Sequence, residues 1–393
     1  MPTRNHPTRV LQIVSGLDIG RLSGGAEYFA VRLTLGMAPA QFRRAVYVQT
    51  WHETAAEQEW RQRLHANDVA VYGAASSPTR RSMAGQLRDY WCALDDFRPD
   101  IITSHSERAD LLNLWGKFVH PAHPRSVRTV HIDQQWKTHP WAGAVFEHGV
   151  APIAFDAQVA VSATIQAILE GRWLARTLHR RAHLFYNGID ANLLNTSHPS
   201  VTPPLAILAQ HPVLVSVGRL TEQKGFGYLL AAMRRVIDSR PANLLIIGAG
   251  PLEQRLRAQA QSLEIDNYVH FLGWRSDVLA LLPHADLFVS ASLWEGLPTV
   301  LLEAMACRLP VIATRVSGSK EIVSDHATGL LVPAKDDAAL AAAINWALEH
   351  PTEMKHFAQT AYLSLGRYTF DNTVAQFSSL YCRLLNIQTP PSP

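Results

Sequence analysis

Six short runs rich in valine and isoleucine punctuate the second half of this chain, each closed by a turn and followed by helix-like spacing. They are VLVSVG (213–218), LLIIGAG (244–250), VHFLGW (269–274), ADLFVSAS (285–292), PVIAT (310–314) and GLLVP (329–333). Their starts lie 31, 25, 16, 25 and 19 residues apart, the rhythm of strand–helix units. A strand that is apolar along its whole length must be covered on both faces, which is the condition of a parallel sheet flanked by helices. The first half repeats the rhythm more loosely in RVLQIVS, AVYVQT, DIITSH, SVRTVH, AQVAVS and AHLFYN. A polar, proline-rich piece, NTSHPSVTPPLAILAQHP (195–212), separates the two series and reads as an inter-domain connection. The expected fold class is therefore α/β, with two doubly wound, Rossmann-like parallel-sheet domains, the first over 1–194 and the second over 195–367. At 393 residues the chain has room for two or three domains of ~150 residues.

Composition excludes several classes. Apolar residues make up 47% and charged residues 18%, which suits a globular chain and not a disordered one. No uninterrupted apolar run approaches the ~18–20 residues of a membrane span, and the N-terminus lacks the apolar core of a secretory signal. Cys92, Cys307 and Cys382 are odd in number and far apart, without metal or disulfide spacing, as in a reducing cytoplasm. The net charge of +3 is too small for a nucleic-acid protein. It is uneven: 21 Lys and Arg against 17 Asp and Glu before residue 196 give +4, and 15 against 16 after it give −1. The expected location is the cytoplasm, with a weak attraction of the first half to the inner, anionic face of a membrane.

In doubly wound sheets ligands bind outside the carboxyl ends of strands, so the loops there are searched first. GRLTEQKG (218–225) puts Arg219 directly after a strand and Lys224 five residues on, beside Gly218, Gly225 and Gly227. A guanidinium fork and an ammonium can bracket a diphosphate; a solvated turn would hold the same charges. In SLWEGLPTVLLEAMACRLP, Glu295 and Glu303 are eight positions apart, and Pro298 suits the first position of a helix. The N–H groups of Thr299 and Val300 would point at a bound phosphate. Two carboxylates beside an anion site make sense as acceptors for polyol hydroxyls, whereas the helix dipole alone explains Glu295 in part and Glu303 poorly. GAGPLEQRL contributes Gly248 and Gly250 but lacks the third glycine of a dinucleotide fingerprint. In FLGWRSDV an apolar edge at Leu272, followed by Arg275, could hold a base, or Trp274 could simply pack. In the first half Gly24 and Gly25 precede an apolar helix and allow close backbone approach to a ligand, or form a plain joint. His105 and His131 each end a strand, where ligand contact and a structural role are equally compatible with the sequence.

Together these residues resemble the retaining glycosyltransferases of family 4, which have the GT-B fold. VSVGRLTEQKG, IIGAGP, FLGW, the E-x7-E block in EGLPTVLLEAMACRLPVIAT, and GLLVP occur in the family's order. SGGAE, SHSERADLL, TVH, VAVS and YNGID resemble it more diffusely, and HIDQQWKTHPW departs from it after His131. The resemblance implies two domains facing each other across a cleft that closes around the donor. It implies that Arg219 and Lys224 bind the donor diphosphate, that Glu295 contacts the transferred sugar, and that Glu303 contacts the ribose. The amides of Gly296, Leu297, Pro298's successors Thr299 and Val300 would line phosphate and sugar. Gly25 would close over the diphosphate, and His131 would hydrogen-bond the sugar. The last helix of the family crosses back onto the first domain, and 368–393 has the spacing to do so.

The implied reaction moves a sugar from a nucleotide-diphosphate donor to a saccharide or lipid-linked acceptor hydroxyl with retention. The expected setting is bacterial polysaccharide or glycolipid synthesis. No cofactor is expected, and no metal: there is no D-x-D pair with metal geometry, and Arg219 and Lys224 can take a cation's place. A nucleotide-sugar epimerase of the same architecture and a non-catalytic sugar-nucleotide-binding protein stay open. A dinucleotide oxidoreductase is disfavoured by the broken glycine pattern.

Overall fold

The computed structural model describes residues 6–19, 24–73, 83–132, 136, 139–190 and 211–387. Most of the proline-rich connection and the tail after residue 387 lie outside the described residues. The chain divides into two compact units, one drawn from Met1–Tyr186 and Asp371–Pro393, the other from Asn187–Phe370.

The first unit is built on seven parallel strands: β1 (Thr8–Val14), β2 (Phe42–Val48), β3 (Ala70–Tyr72), β4 (Ile101–Ser104), β5 (Arg125–Val130), β6 (Ala157–Ala160) and β7 (His183–Leu184). Their order is β3-β2-β1-β4-β5-β6-β7. The second unit has six: β8 (Val213–Val217), β9 (Asn243–Ile247), β10 (Val269–Gly273), β11 (Leu287–Ser290), β12 (Val311–Thr314) and β13 (Leu330–Val332), in the order β10-β9-β8-β11-β12-β13. Both orders run outward one way, return past the first strand, and run outward the other way. This is the doubly wound Rossmann-like topology, and the six runs of the second half are its six strands. Ile246, Val289 and Ile312 are fully buried, as strands covered on both faces require.

The helix Phe226–Ser239 shows how the second sheet is covered. Its buried positions Phe226, Leu229, Leu230, Met233 and Val236 recur at helical spacing and pack with Leu244 and Ile246 of β9. In the first unit the final helix, Phe370–Leu384, packs into the sheet's own cover. Phe377 meets Phe29 and Phe185 with ring centroids 5.8 and 5.1 Å apart, and Tyr381 Oη lies 3.0 Å from Thr103 Oγ1.

Candidate functional site

In the second sheet the direction of winding reverses between β8 and β11, and the carboxyl ends of strands at such a reversal are where doubly wound sheets bind ligands. The loop after β8 holds Gly218, Arg219 and Lys224; the loop after β11 holds Ser292, Glu295 and Gly296. They are tied to each other. Leu293 N–H donates to the Gln223 carbonyl at 2.7 Å, and Gln223 Nε2 donates to the Trp294 carbonyl at 3.1 Å.

Those ties bring Lys224 to Glu295. The ammonium Nζ donates to Glu295 Oε1 at 2.5 Å, and Ser292 Oγ donates to the same oxygen at 2.7 Å. Glu295 is only 5% exposed, yet its second oxygen, Oε2, makes no hydrogen bond among the described residues. Ser317 Oγ holds the Glu295 carbonyl at 2.6 Å, and Thr314 Oγ1 holds that of Ser292 at 2.5 Å. Ser292, Thr314 and Ser317 had no signal in the sequence, since hydroxyls ending strands are common.

Gly218 makes room for the lysine: a Cβ there would meet the Lys224 methylenes at 3.1–3.2 Å. Gly248, at φ +141°, touches Gly218 in turn, and a Cβ on it would lie 2.0 Å from the Gly218 carbonyl oxygen. Gly250 stands in the same loop against Leu220, and Gly248 N–H ties that loop to the end of β10, which carries Leu272, by donating to the Gly273 carbonyl at 2.8 Å. Arg219 is exposed, and its guanidinium makes no ion pair among the described residues. Arg275 is different: Asp277 takes its guanidinium fork at 2.8 and 2.6 Å, and Trp274 beside it is 40% exposed.

The helix following Glu295 spans Thr299–Ala306. Pro298 is its cap, with ψ 100°, and not its first residue as the sequence suggests; extended backbone at the cap lets the Pro298 carbonyl accept from Leu301 N–H at 3.1 Å. Gly296, Leu297 and Pro298 are buried, Thr299 and Val300 half-buried. Glu303, four residues along, is half-buried on the same helix. Burial, then the Glu303 charge, pushes the Cys307 thiol up to about 12, so this cysteine is inert as a nucleophile.

The remaining candidates belong to the first unit. Gly24 caps the helix Gly25–Gly36 and donates its N–H to Glu27 Oε2 at 2.9 Å, while Ser15 Oγ, just after β1, donates to Glu27 Oε1. Gly25 is exposed at the helix start. His105 and His131, after β4 and β5, meet at 3.1 Å, Nδ1 to Nε2. Their protons can be assigned. Gln12 Nε2 donates to Tyr381 Oη at 3.3 Å, so Gln12 Oε1 is the acceptor facing His105 Nε2 at 2.7 Å. His105 then carries its proton on Nε2 and accepts on Nδ1 from His131 Nε2–H. That leaves His131 Nδ1 as a lone-pair acceptor, buried and without a partner among the described residues. Burial pushes His131 down to about 3; burial and then the His131 ring push His105 well below the usual imidazole range. Both are neutral at pH 7.

Two family models match the chain: Glycosyltransferase Family 4 over residues 23–193, and Glycosyl transferases group 1 over residues 202–364. Among curated proteins, the putative colanic acid biosynthesis glycosyltransferase WcaL of Escherichia coli K12 is 37% identical over 137 residues, 33% of this chain and 34% of that protein. Alpha-maltose-1-phosphate synthase of Mycolicibacterium smegmatis is 33% identical over 196 residues, 45% of this chain and 50% of that protein. The chain thus spans half or less of each of these two. Among solved structures, Anabaena HepE in complex with UDP and glucose superposes with a TM-score of 0.78 at 20% identity, covering 96% of this chain and all of that one; it shares the fold. The break between the two family models falls between β7 and β8, where one sheet ends and the next begins, and the chain belongs to the glycosyltransferases of group 1 and family 4.

Proposed function

We propose that this protein transfers a sugar from a nucleoside-diphosphate sugar to an acceptor hydroxyl, with retention, in the synthesis of a polysaccharide or glycolipid. The observation that carries the reading is the Lys224–Glu295–Ser292 triangle at the reversal point of the second sheet, with Arg219 exposed in the same loop as Lys224. The family models, the biosynthetic name of WcaL and the UDP and glucose in the HepE structure support it.

An ammonium has three N–H donors. Lys224 can keep Glu295 on one and offer the others to a diphosphate, so its position is set before the ligand arrives. Arg219 supplies a second cation, and the N–H groups of Thr299 and Val300 supply the positive end of a helix dipole. Glu295 Oε2 is assigned to a hydroxyl of the donor sugar and Glu303 to the ribose. On the first unit, His131 Nδ1 is assigned to a ligand hydroxyl. As the bond from the anomeric carbon to the diphosphate oxygen breaks, negative charge collects on the leaving group, and the fixed cations stabilise that state more than the ground state. The acceptor oxygen forms the new bond on the same face, and its proton passes to the departing phosphate oxygen, so no separate base is needed. With two cations in place, no divalent metal is assigned a role.

The test is a screen of UDP-, GDP- and ADP-sugars, reading released nucleoside diphosphate with and without a mixture of saccharide acceptors and with EDTA. Acceptor-dependent, EDTA-resistant release is expected. Rearranged donor without acceptor would identify an epimerase, and binding without release a non-catalytic protein. Retention is read from the anomeric configuration of the isolated product.

A further inference from the structure

Thirteen large apolar side chains stand exposed among the described residues, and ten of them fall between residues 111 and 178 of the first unit. Such clustering is not the scattered exposure of an ordinary surface. Its densest part is a set of short helical turns: Pro140–Val145, the π-helical turn Phe146–Val150, Ala151–Ala154 and Trp173–Thr177. They pack on one another, and Trp173 N–H reaches His148 Nδ1 at 3.4 Å. Trp141 is 77% exposed and Trp173 67%; Val145, Val150, Ile153 and Leu178 are exposed with them.

The inward side of these turns is unusual in the opposite sense. Arg128, fully buried on β5, is held by Asp110 at 2.6 Å and by Glu147, and Glu147 also pairs with Arg172. Trp136 Nε1 donates to Glu147 at 3.1 Å. The charged groups of this layer are thus paired inside the unit, while Trp141 and Trp173 stand at the surface, an exposure that is unfavourable in water and is relieved where the outer medium is itself apolar. The exposed charge nearby has one sign. Arg176, Arg180 and Arg181 are exposed, and between residues 163 and 182 the one acid is Glu170, 3.8 Å from Arg181.

We propose that this face docks on an anionic lipid surface, with Trp141 and Trp173 at the headgroup level and Arg176, Arg180 and Arg181 against lipid phosphates. Tryptophan belongs at that interface, and each arginine near it adds an increment that salt screens. No helix among the described residues is long and apolar enough to cross a membrane, so contact would be peripheral and reversible.

The experiment is flotation of the full chain with phosphatidylcholine vesicles, with and without about a third phosphatidylglycerol, at about 50 and about 500 mM NaCl. Binding to the anionic vesicles at low salt is expected, weakened by salt and by the Trp141→Ser/Trp173→Ser double variant. The Arg176→Gln/Arg180→Gln/Arg181→Gln variant alters only exposed side chains and is expected to bind roughly 10²-fold more weakly. Absence of wild-type flotation overturns the proposal, as does equal binding by both variants. A wild-type dimer in sedimentation velocity that the tryptophan variant converts to monomer also overturns it, in favour of a second copy of the chain. None of these readouts uses turnover, so they stand apart from the transferase reading.

Discussion

Lys224 and Ser292 donate to the same oxygen of Glu295, and this sets what each substitution should do. Removing the ammonium leaves a nearly buried carboxylate with a hydroxyl as its remaining side-chain donor. Lys224→Ala is therefore expected to cost ~1.5–3 kcal/mol of unfolding free energy, the range for hydrogen bonds to charged groups, and Ser292→Ala less. Urea denaturation of the ligand-free protein checks the order, and a Ser292→Ala loss exceeding that of Lys224→Ala contradicts the pairing. The histidine pair predicts a pH dependence. Unfolded histidine titrates near 6.5, whereas His131 is held at about 3 and His105 is lowered well below its ordinary value. The unfolded chain takes up protons first as pH falls, so the pair's contribution is complete above about pH 6.5 and is lost as pH falls toward about 3. Asp110 opposes this: burial raises it to about 6, so its share is present in acid and lost as pH rises through about 6. His105→Gln should show a smaller drop in urea midpoint between about pH 7.5 and about pH 5 than the wild type does. An identical drop would mean that His105 does not take part.

Turns and strand ends govern how the loops meet. Gly225 sits at φ +62° between the 3-10 turn Glu222–Lys224 and the helix Phe226–Ser239, and a Cβ on it would lie 2.0 Å from the Ala291 carbonyl oxygen. Gly225→Ala is expected to strain the backbone by ~1–3 kcal/mol and to push the lysine loop from the β11 loop. The melting temperature should fall; an unchanged value contradicts the close approach. The strands of both sheets were readable because buried parallel strands are apolar throughout, and VLVSVG and PVIAT need no other signal. β3 escaped: AVY is three half-buried residues at a sheet edge, too short to show a period. Arg128 also hid its place, since nothing in SVRTVH says that an arginine in mid-strand is neutralised by Asp110, 18 positions before it, and Glu147, 19 positions after it.

For the molecule as a whole, the sequence marks the loops that carry chemistry but not their partners. Lys224 and Glu295 are 71 positions apart, and only the adjacency of β8 and β11 joins them. Gly248 reads as a phosphate-loop glycine, whereas its tight contact is with Gly218, under the lysine. The His105–His131 contact needs β4 and β5 side by side, which periodicity does not reveal. Arg219 gives the cleanest test of the account, because its side chain is exposed and has no ion pair among the described residues. Its loss should leave folding unchanged and act on the ligand alone. Nucleoside diphosphate release by Arg219→Ala, measured on an accepted donor with saturating acceptor, should show kcat/KM about 30- to 1,000-fold below the wild type, the range for losing one donor to developing negative charge. A value within twofold of the wild type, from a variant that melts like it, would contradict the assignment of a fixed cation to the leaving diphosphate.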